Sequence, residues 1–454
     1  MEDSATLPPR FPHGFWQGAC ATVLIVNHER SMHQPLNRPA SAGAVVHAAD
    51  AERGAAPHIQ HGSRSRPVTV LVTDGDQRAA LAIVRSLGAG GYRCVVTSPD
   101  GRSLAGASRH AVADIAVPEP GTAPERYVAE IRAIIEEENA ALLLPVTEAS
   151  LLALLPARGR LGATVPFPDA ETFRTICDKR RVLETAATIG LRVPAQREIR
   201  SIEDRAQLGW SGPVILKPGR SVYTRSDGTR EKTGVRWARS REEFESALSA
   251  YAPEAYPILV QEVIEGPGTG IFVLLCEGRV MARFAHRRIR EKPPTGGVSV
   301  VRQSEPMDEE LLGRSVDLLN RLGWSGVAMV EYKRDLGTGE AVLMEINGRF
   351  WGSLQLAIDA GVDFPRLLLD ASQGRSVTPV IGYRSVRSRW FWGDVDHLLA
   401  VWRRGSPRQG SRPGALAAWL RAFGPGYRSE VFRPDDPMPF ARETANWFRE
   451  GLSR

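Results

Sequence analysis

The chain has little of what a disulfide-stapled or metal-stapled protein needs. Its four cysteines, Cys20, Cys94, Cys177 and Cys276, are scattered, with no CxxC spacing and no framework pattern. That excludes a disulfide scaffold and points to reduced thiols in a cytoplasmic protein. No apolar run reaches the roughly eighteen residues of a membrane span. The opening MEDSATLPPR is acidic before it is basic, unlike a secretory leader. A dinucleotide site would want GxGxxG after the first strand, and DGDQRAA stands there instead. The arginines are spread along the chain without a nucleic-acid module, so a net charge of +6 suits an enzyme of phosphates and carboxylates, with no nucleic-acid partner.

At 454 residues the chain is long enough for two or three domains. Residues 1–66 are rich in Ala, Pro, Gly, Arg and His, lack sustained periodicity, and read as a disordered tail. His13, His28, His33, His47, His58 and His61 fall there, at spacings that match no metal site. Order is expected from 67, where RPVTVLVTDGDQRAALAIVRSLGAGGYRCVVTS reads as a right-handed parallel βαβ unit. AALLLPVTEASLLALL adds another strand and helix. Glu148 at that strand's carboxyl end either faces a ligand, as α/β sheets arrange, or simply stabilises a helix N-terminus. Residues 67–172 thus form a small α/β domain. Residues 375–454 read as a separate extension, with five of the ten tryptophans and, between Arg384 and Arg428, nine arginines against Asp394 and Asp396. Such a segment either packs its aromatics on the neighbouring domain or adsorbs to an anionic membrane or partner.

The most informative stretch is GVAMVEYKRDLGTGEAVLMEINGRF. Val327 to Tyr332 and Ala341 to Ile346 read as strands joined by the turn residues of DLGTG. A turn centred near Thr338 sets Glu331 opposite Glu345, with Asn347 on the same face. Like charges directly opposed destabilise a sheet, so a cation is expected. Two carboxylates and an amide oxygen suit Mg²⁺, which keeps waters and phosphates in its shell. The alternative is an exposed hairpin whose acids pair with Lys333, Arg334 and Arg349.

Upstream lie CDKRRVLETAATIGLRVP, GPVILKPG and PILVQEVIEGPGTGIFVLL. In this order and at these intervals the motifs resemble the ATP-grasp superfamily of carboxylate–amine (or thiol) ligases, including its carbamoyl-phosphate-synthase-like branch, over about Val68 to Gly374. The resemblance implies an α/β and α+β architecture: the small parallel α/β domain, an ATP-grasp two-subdomain nucleotide-binding fold over 173–374, and the C-terminal extension. It implies ATP, with Mg²⁺ or alternatively Mn²⁺ on Glu331, Glu345 and Asn347. Lys179 and Lys217 match the phosphate-binding lysines. Gln261, Glu262, Val263 and Ile264 match the hinge that reads adenine. Gly268 stands where an acid often holds the ribose, leaving Glu265 as a substitute. Arg349 would neutralise the transferred group, and Arg288 and Arg290, beside Gly296, Gly297 and Ser299, are candidates to face an acyl phosphate. The polar loop GRSVYTRSDGTREKTGV occupies the place of the phosphate flap but has no GGxG cluster, so Ser221, Gly228 and Gly234 are its candidate contacts.

The expected function is an ATP-dependent ligase that activates a small-molecule carboxylate as an acyl phosphate for attack by an amine, with a homodimer left open. The alternatives are a kinase-like or carbamate-activating enzyme on the same scaffold, or a nucleotide-binding protein in which catalysis has lapsed.

Overall fold

The computed structural model describes residues 67–204, 212–404 and 411–452. The expected tail over 1–66, with its six histidines, lies outside the described residues. The first unit is a parallel sheet in which β1 (Thr69–Val72) lies between β2 (Arg93–Ser98) and β4 (Leu142–Leu144), with β3 (Ala111–Ala116) at the edge. β1 and β4 are buried along their whole length, as continuous apolar runs covered on both faces must be. Helices α1 (Arg78–Ala89), α2 (Pro124–Glu137) and α3 (Glu148–Leu154) make the crossovers or follow the strands. Asp74, with φ 59°, ends β1 in the left-handed region. Its carboxylate accepts from the Val146 N–H at 3.1 Å, the Thr147 N–H at 3.0 Å and the Ser150 hydroxyl at 2.7 Å. The strain of that conformation is thereby offset, and the turn that carries Glu148 is fixed.

After α4 (Ala170–Cys177) and α5 (Lys179–Thr188) comes a four-stranded antiparallel sheet of β5 (Gln196–Ile199), β6 (Val214–Pro218), β9 (Arg236–Ala238) and β10 (Ile258–Glu262), ordered β5-β10-β6-β9. It has its own small core with α6 (Arg241–Ser249). The expected polar loop contains a hairpin, β7 (Val222–Thr224) against β8 (Arg230–Lys232). The local reason is that Asp227 and Gly228, at φ 83°, supply the turn while Val222 and Tyr223 are buried.

The large sheet is ordered β15-β14-β11-β12-β13-β16-β17. Its members are β11 (Gly268–Cys276), β12 (Arg279–Lys292), β13 (Val298–Ser304), β14 (Gly326–Arg334), β15 (Ala341–Asn347), β16 (Arg387–Arg389) and β17 (Tyr427–Ser429). Helices α7 (Glu309–Arg321), α8 (Leu354–Ala360) and α9 (Phe364–Ser372) cover it, and α1 of the first unit packs on α8 and α9. One apolar core runs through both units.

The C-terminal segment, expected as an extension, adds β16 and β17 to the large sheet. Three-residue, arginine-bearing strands carry no hydrophobic alternation, which hid them in the sequence. α10 (Phe391–Arg404), α11 (Arg412–Arg421) and α12 (Met438–Leu452) follow. Their aromatics pack on one another and on the body: the Trp392 and Trp447 rings lie 4.2 Å apart, and Arg78 sits 3.9 Å above the Trp390 ring. No helix among the described residues is long and apolar enough to cross a membrane.

Charged contacts clasp this end of the chain to its beginning. Asp436, 2 % exposed, accepts from Arg85 Nε at 2.8 Å, Ser108 Oγ at 2.7 Å and the Arg109 N–H at 2.9 Å. Glu430 bridges Arg78 and Arg302. Removing one partner of such a buried pair leaves the other charge without compensation. Asp436→Ala should therefore destabilise the chain by about 3–5 kcal/mol in denaturant unfolding, while Asp435→Ala, whose contact is a backbone carbonyl to Arg109, should change little.

Glu443 accepts from Trp390 Nε1 at 2.7 Å, and burial pushes its carboxyl from 4.5 up to about 7. Between these values the folded chain keeps a proton that the unfolded chain has released, so stability falls as pH rises through that window. Glu443→Gln removes the effect. It should melt with wild type at pH 4 and above it at pH 8; coincident melting at pH 8 would contradict the assignment.

Candidate active site

The β14–β15 hairpin sets the site. Glu331 pairs with Glu345 in register, and Asn347 pairs with Met329 two positions on. A bulge leaves Met344 without a partner, which resets the alternation so that Val342 joins Glu345 and Asn347 on the face of Glu331 and Lys333. Val342 and Met344 form a small apolar cluster with Ile264 of the hinge. The hairpin therefore offers an apolar wall and, beside it, an acid pair.

Four cations answer the acids. Lys179, the first residue of α5 behind the Asp178 cap, places Nζ 3.5 Å from Glu345 and donates to Ser221 Oγ at 2.6 Å. Arg349 donates to Asn347 Oδ1 at 3.0 Å, and Asn347 donates to Glu345 at 3.2 Å. Gly348 permits that turn, because a Cβ there would lie 2.5 Å from the Trp324 ring. Burial would raise the Glu345 carboxyl, but Lys179, Lys217, Asn347 and Arg349 outweigh it and hold it at about 2. Glu331 goes the other way: burial raises it, and Arg288 only partly opposes.

Arg288 reaches Glu331 at 2.6 Å from β12, two strands away. It does so across Gly268, where a Cβ would meet Arg288 Cδ at 2.7 Å. The glycine in the ribose acid's place is thus the groove in which this arginine lies. Arg290 does not join the cluster. A bulge between Arg288 and Arg290 turns it to the opposite face, where it forms a buried fork with Asp394 at 2.7 and 2.8 Å. Register alone therefore does not carry the expectation that both arginines face an acyl phosphate: the bulge puts Arg288 and Arg290 on opposite faces.

Lys217, opposite Leu259 in the β6–β10 ladder, is 7 % exposed and has no hydrogen bond or ion pair with any described residue. Burial lowers its ammonium from 10.5 to about 8, against the pull of Glu345.

Along the hinge, Gln261 is enclosed and donates to Gln196 at 2.9 Å, leaving Oε1 buried without a partner. Glu262 accepts from the Ala195 N–H at 2.9 Å. Val263 follows the end of β10, the Ile264 carbonyl accepts from Lys333 at 3.1 Å, and the Glu265 carbonyl accepts from the Leu336 N–H at 2.8 Å.

Glu148 is both the first residue of α3 and a member of the site. Its buried carboxyl is raised by desolvation, Lys179 and Arg349 act on it, and its Oε1 has no partner. Its position just beyond a buried parallel strand was the available signal. Cys177 is beside it, and burial together with Glu148 pushes the thiol well above its ordinary value. That environment disfavours the thiolate form.

The donors on the hairpin are hard oxygens, as Mg²⁺ requires. Among the described residues no three His, Cys, Asp or Glu side chains gather to hold a metal. A cation on Glu331, Glu345 and Asn347 would complete its shell with phosphate and water, which fits magnesium.

A protein-family model described as "ATP-grasp in the biosynthetic pathway with Ter operon" matches residues 254–390. No curated protein matches the chain in sequence. Among solved structures, the chain is similar to an L-amino acid ligase from Bacillus licheniformis (TM-score 0.53, 18 % identity, covering 71 % of this chain and 80 % of the other). It is also similar to an ADP complex of N5-carboxyaminoimidazole ribonucleotide synthetase (0.54, 15 %, 71 % and 81 %). A third likeness is to the biotin carboxylase domain of the Hydrogenobacter thermophilus 2-oxoglutarate carboxylase, in complex with MgADP, ADP and bicarbonate (0.53, 17 %, 70 % and 72 %). The chain shares its fold with these proteins, and residues 254–390 match an ATP-grasp family model, as the resemblance carried by the motifs leads one to expect.

Proposed function

We propose that the chain is an ATP-dependent ligase that activates a carboxylate as an acyl phosphate for attack by an amine. The observation that carries this is Lys217, a buried ammonium without an anion, aimed into a site whose acids already have cations of their own. An unpaired buried charge is costly, and a polyphosphate compensates it. The structural neighbours that bind ADP, MgADP or bicarbonate support the reading.

In this reading the adenine ring lies against Ile264, Val342 and Met344, beside the Gln261–Glu265 hinge. Lys179 and Lys217 would hold phosphate oxygens, and Glu331, Glu345 and Asn347 would hold a magnesium ion, which when bound would supply neutralisation of phosphate charge. The substrate carboxylate oxygen attacks the γ-phosphorus, the bond to ADP breaks, and Arg349 holds the transferred group through its planar fork. An amine then attacks the acyl carbon, inorganic phosphate departs with the electron pair, and the nitrogen loses a proton. Arg288 acts through Glu331, fixing its orientation. The β7–β8 hairpin keeps water from the acyl phosphate.

Glu345→Gln keeps the shape of the side chain and removes the charge. Turnover, read as ADP release over pools of carboxylates with and without amines, should fall by about 10²–10³-fold while the melting temperature stays near wild type. Amine-dependent release supports a ligase, whereas release with carboxylate alone reassigns the chain as a kinase.

Lys217 gives a pH signature. A bound phosphate favours the charged form, so its pKa rises on binding, ATP binding takes up a proton near pH 8, and affinity falls as pH rises through about 8. Calorimetry in buffers of different ionisation enthalpy measures the uptake. Lys217→Arg, which stays charged, should abolish it.

A further inference from the structure

A cleft of about 810 Å³ opens beside the acid pair, lined from α3, α4, the start of α5 and the β7–β8 hairpin. Five arginines line it. Three have acids of their own: Arg180 with Glu184 at 2.9 Å, Arg220 with Asp178 at 3.4 Å and Arg200 with Glu198 at 3.9 Å. Arg174 and Arg230 have none among the described residues, and each sits in the other's field.

Arg230 is more telling than a rim arginine. Its Nη1 is buried with no hydrogen-bond partner, and its backbone N–H donates to the Gly121 carbonyl at 2.7 Å, which fixes the residue at the seam between the hairpin and the first unit. Native structures rarely leave a buried guanidinium N–H unpaired, and a second unpaired guanidinium nearby adds repulsion. Both costs vanish when one anion bridges the two forks, which match carboxylate or phosphate oxygens in geometry. Elsewhere in the same cleft, Glu148 leaves Oε1 buried and unpartnered towards Lys179 and Arg349. The cleft thus has unmet donors and an unmet acceptor.

We propose that this cleft selects an amine-bearing substrate with an anionic group, carboxylate or phosphate, bound by Arg174 and Arg230 while its N–H meets Glu148. The inference rests on the ligase reading for the neighbouring phosphoryl-transfer groups and adds the substrate class. An acidic amino acid or a phosphorylated hydroxy-amino acid has the required pattern.

The test is calorimetric titration of the full chain with L-glutamate, L-glutamine, O-phospho-L-serine and L-serine, each with and without a non-hydrolysable ATP analogue and Mg²⁺. At least one acidic compound should bind about 10- to 100-fold more tightly than its neutral counterpart, the worth of a charge-assisted hydrogen bond. Glutamate against phosphoserine decides between carboxylate and phosphate. Arg230→Met and the more exposed Arg174→Met should each erase the preference and leave the analogue's Kd unchanged, while Arg180→Met should do neither. Equal binding of acidic and neutral compounds, no binding of either acidic compound, or an unaffected preference in both Arg230→Met and Arg174→Met would overturn the proposal. Acid preference in a chain that binds no nucleotide would instead sink the ligase reading and leave the anion site standing.

Discussion

Two carboxylates facing each other across an antiparallel pair are the constraint around which the site is arranged. Without compensation, Glu331 and Glu345 would weaken the ladder that holds them. Arg288 and Lys179 meet that need directly, and Arg349 does so through Asn347. Lys217 is beyond what the pair requires, since it makes no ion pair of its own. Glu148 joins the two acids, and Arg288 is shared between Glu331 and Glu291, which leaves Lys217 as the buried cation free to meet a polyphosphate. The pKa directions follow from this geometry: Glu345, ringed by cations, ionises more readily, and Glu331, more deeply desolvated, less so. Environments that push like groups apart mark sites where the two have different tasks.

Much of this was legible because it is local. The hairpin announced itself by strand residues on either side of DLGTG, and the opposition of Glu331 and Glu345 required only a turn centre and a period of two. The parallel βαβ unit followed from apolar runs and a helical period. What escaped depended on single extra residues or on distant partners. One bulge separates Arg288 from Arg290, and another brings Val342 onto the site face; neither leaves a mark in hydrophobic patterning. Gly268 looked like a missing ribose acid, although its consequence is room for an arginine that comes from the next strand. The loop after Lys217 looked too polar to be regular, yet burial of Val222 and Tyr223 is sufficient to set a short hairpin.

The C-terminal segment shows how tertiary context overrides composition. Arginines and tryptophans concentrated near a chain end suggest a surface that meets something else. Here Arg389 and Arg290 share Asp394, and the indole N–H groups of Trp390, Trp392 and Trp447 each find a side-chain acceptor. These contacts are made inside the fold, and the segment extends the large sheet by two strands.

The clasp also sets an order of events during synthesis. Arg85 lies in the first helix, and its carboxylate partner is 351 residues further on. At about 5–20 residues per second, the first unit waits roughly 20–70 s on the ribosome with that guanidinium, and the face of α1 that α8 and α9 later cover, still open to solvent. The nascent chain therefore passes through a long interval in which the first described unit lacks its partner, and synthesis of the segment that carries Asp436 ends it.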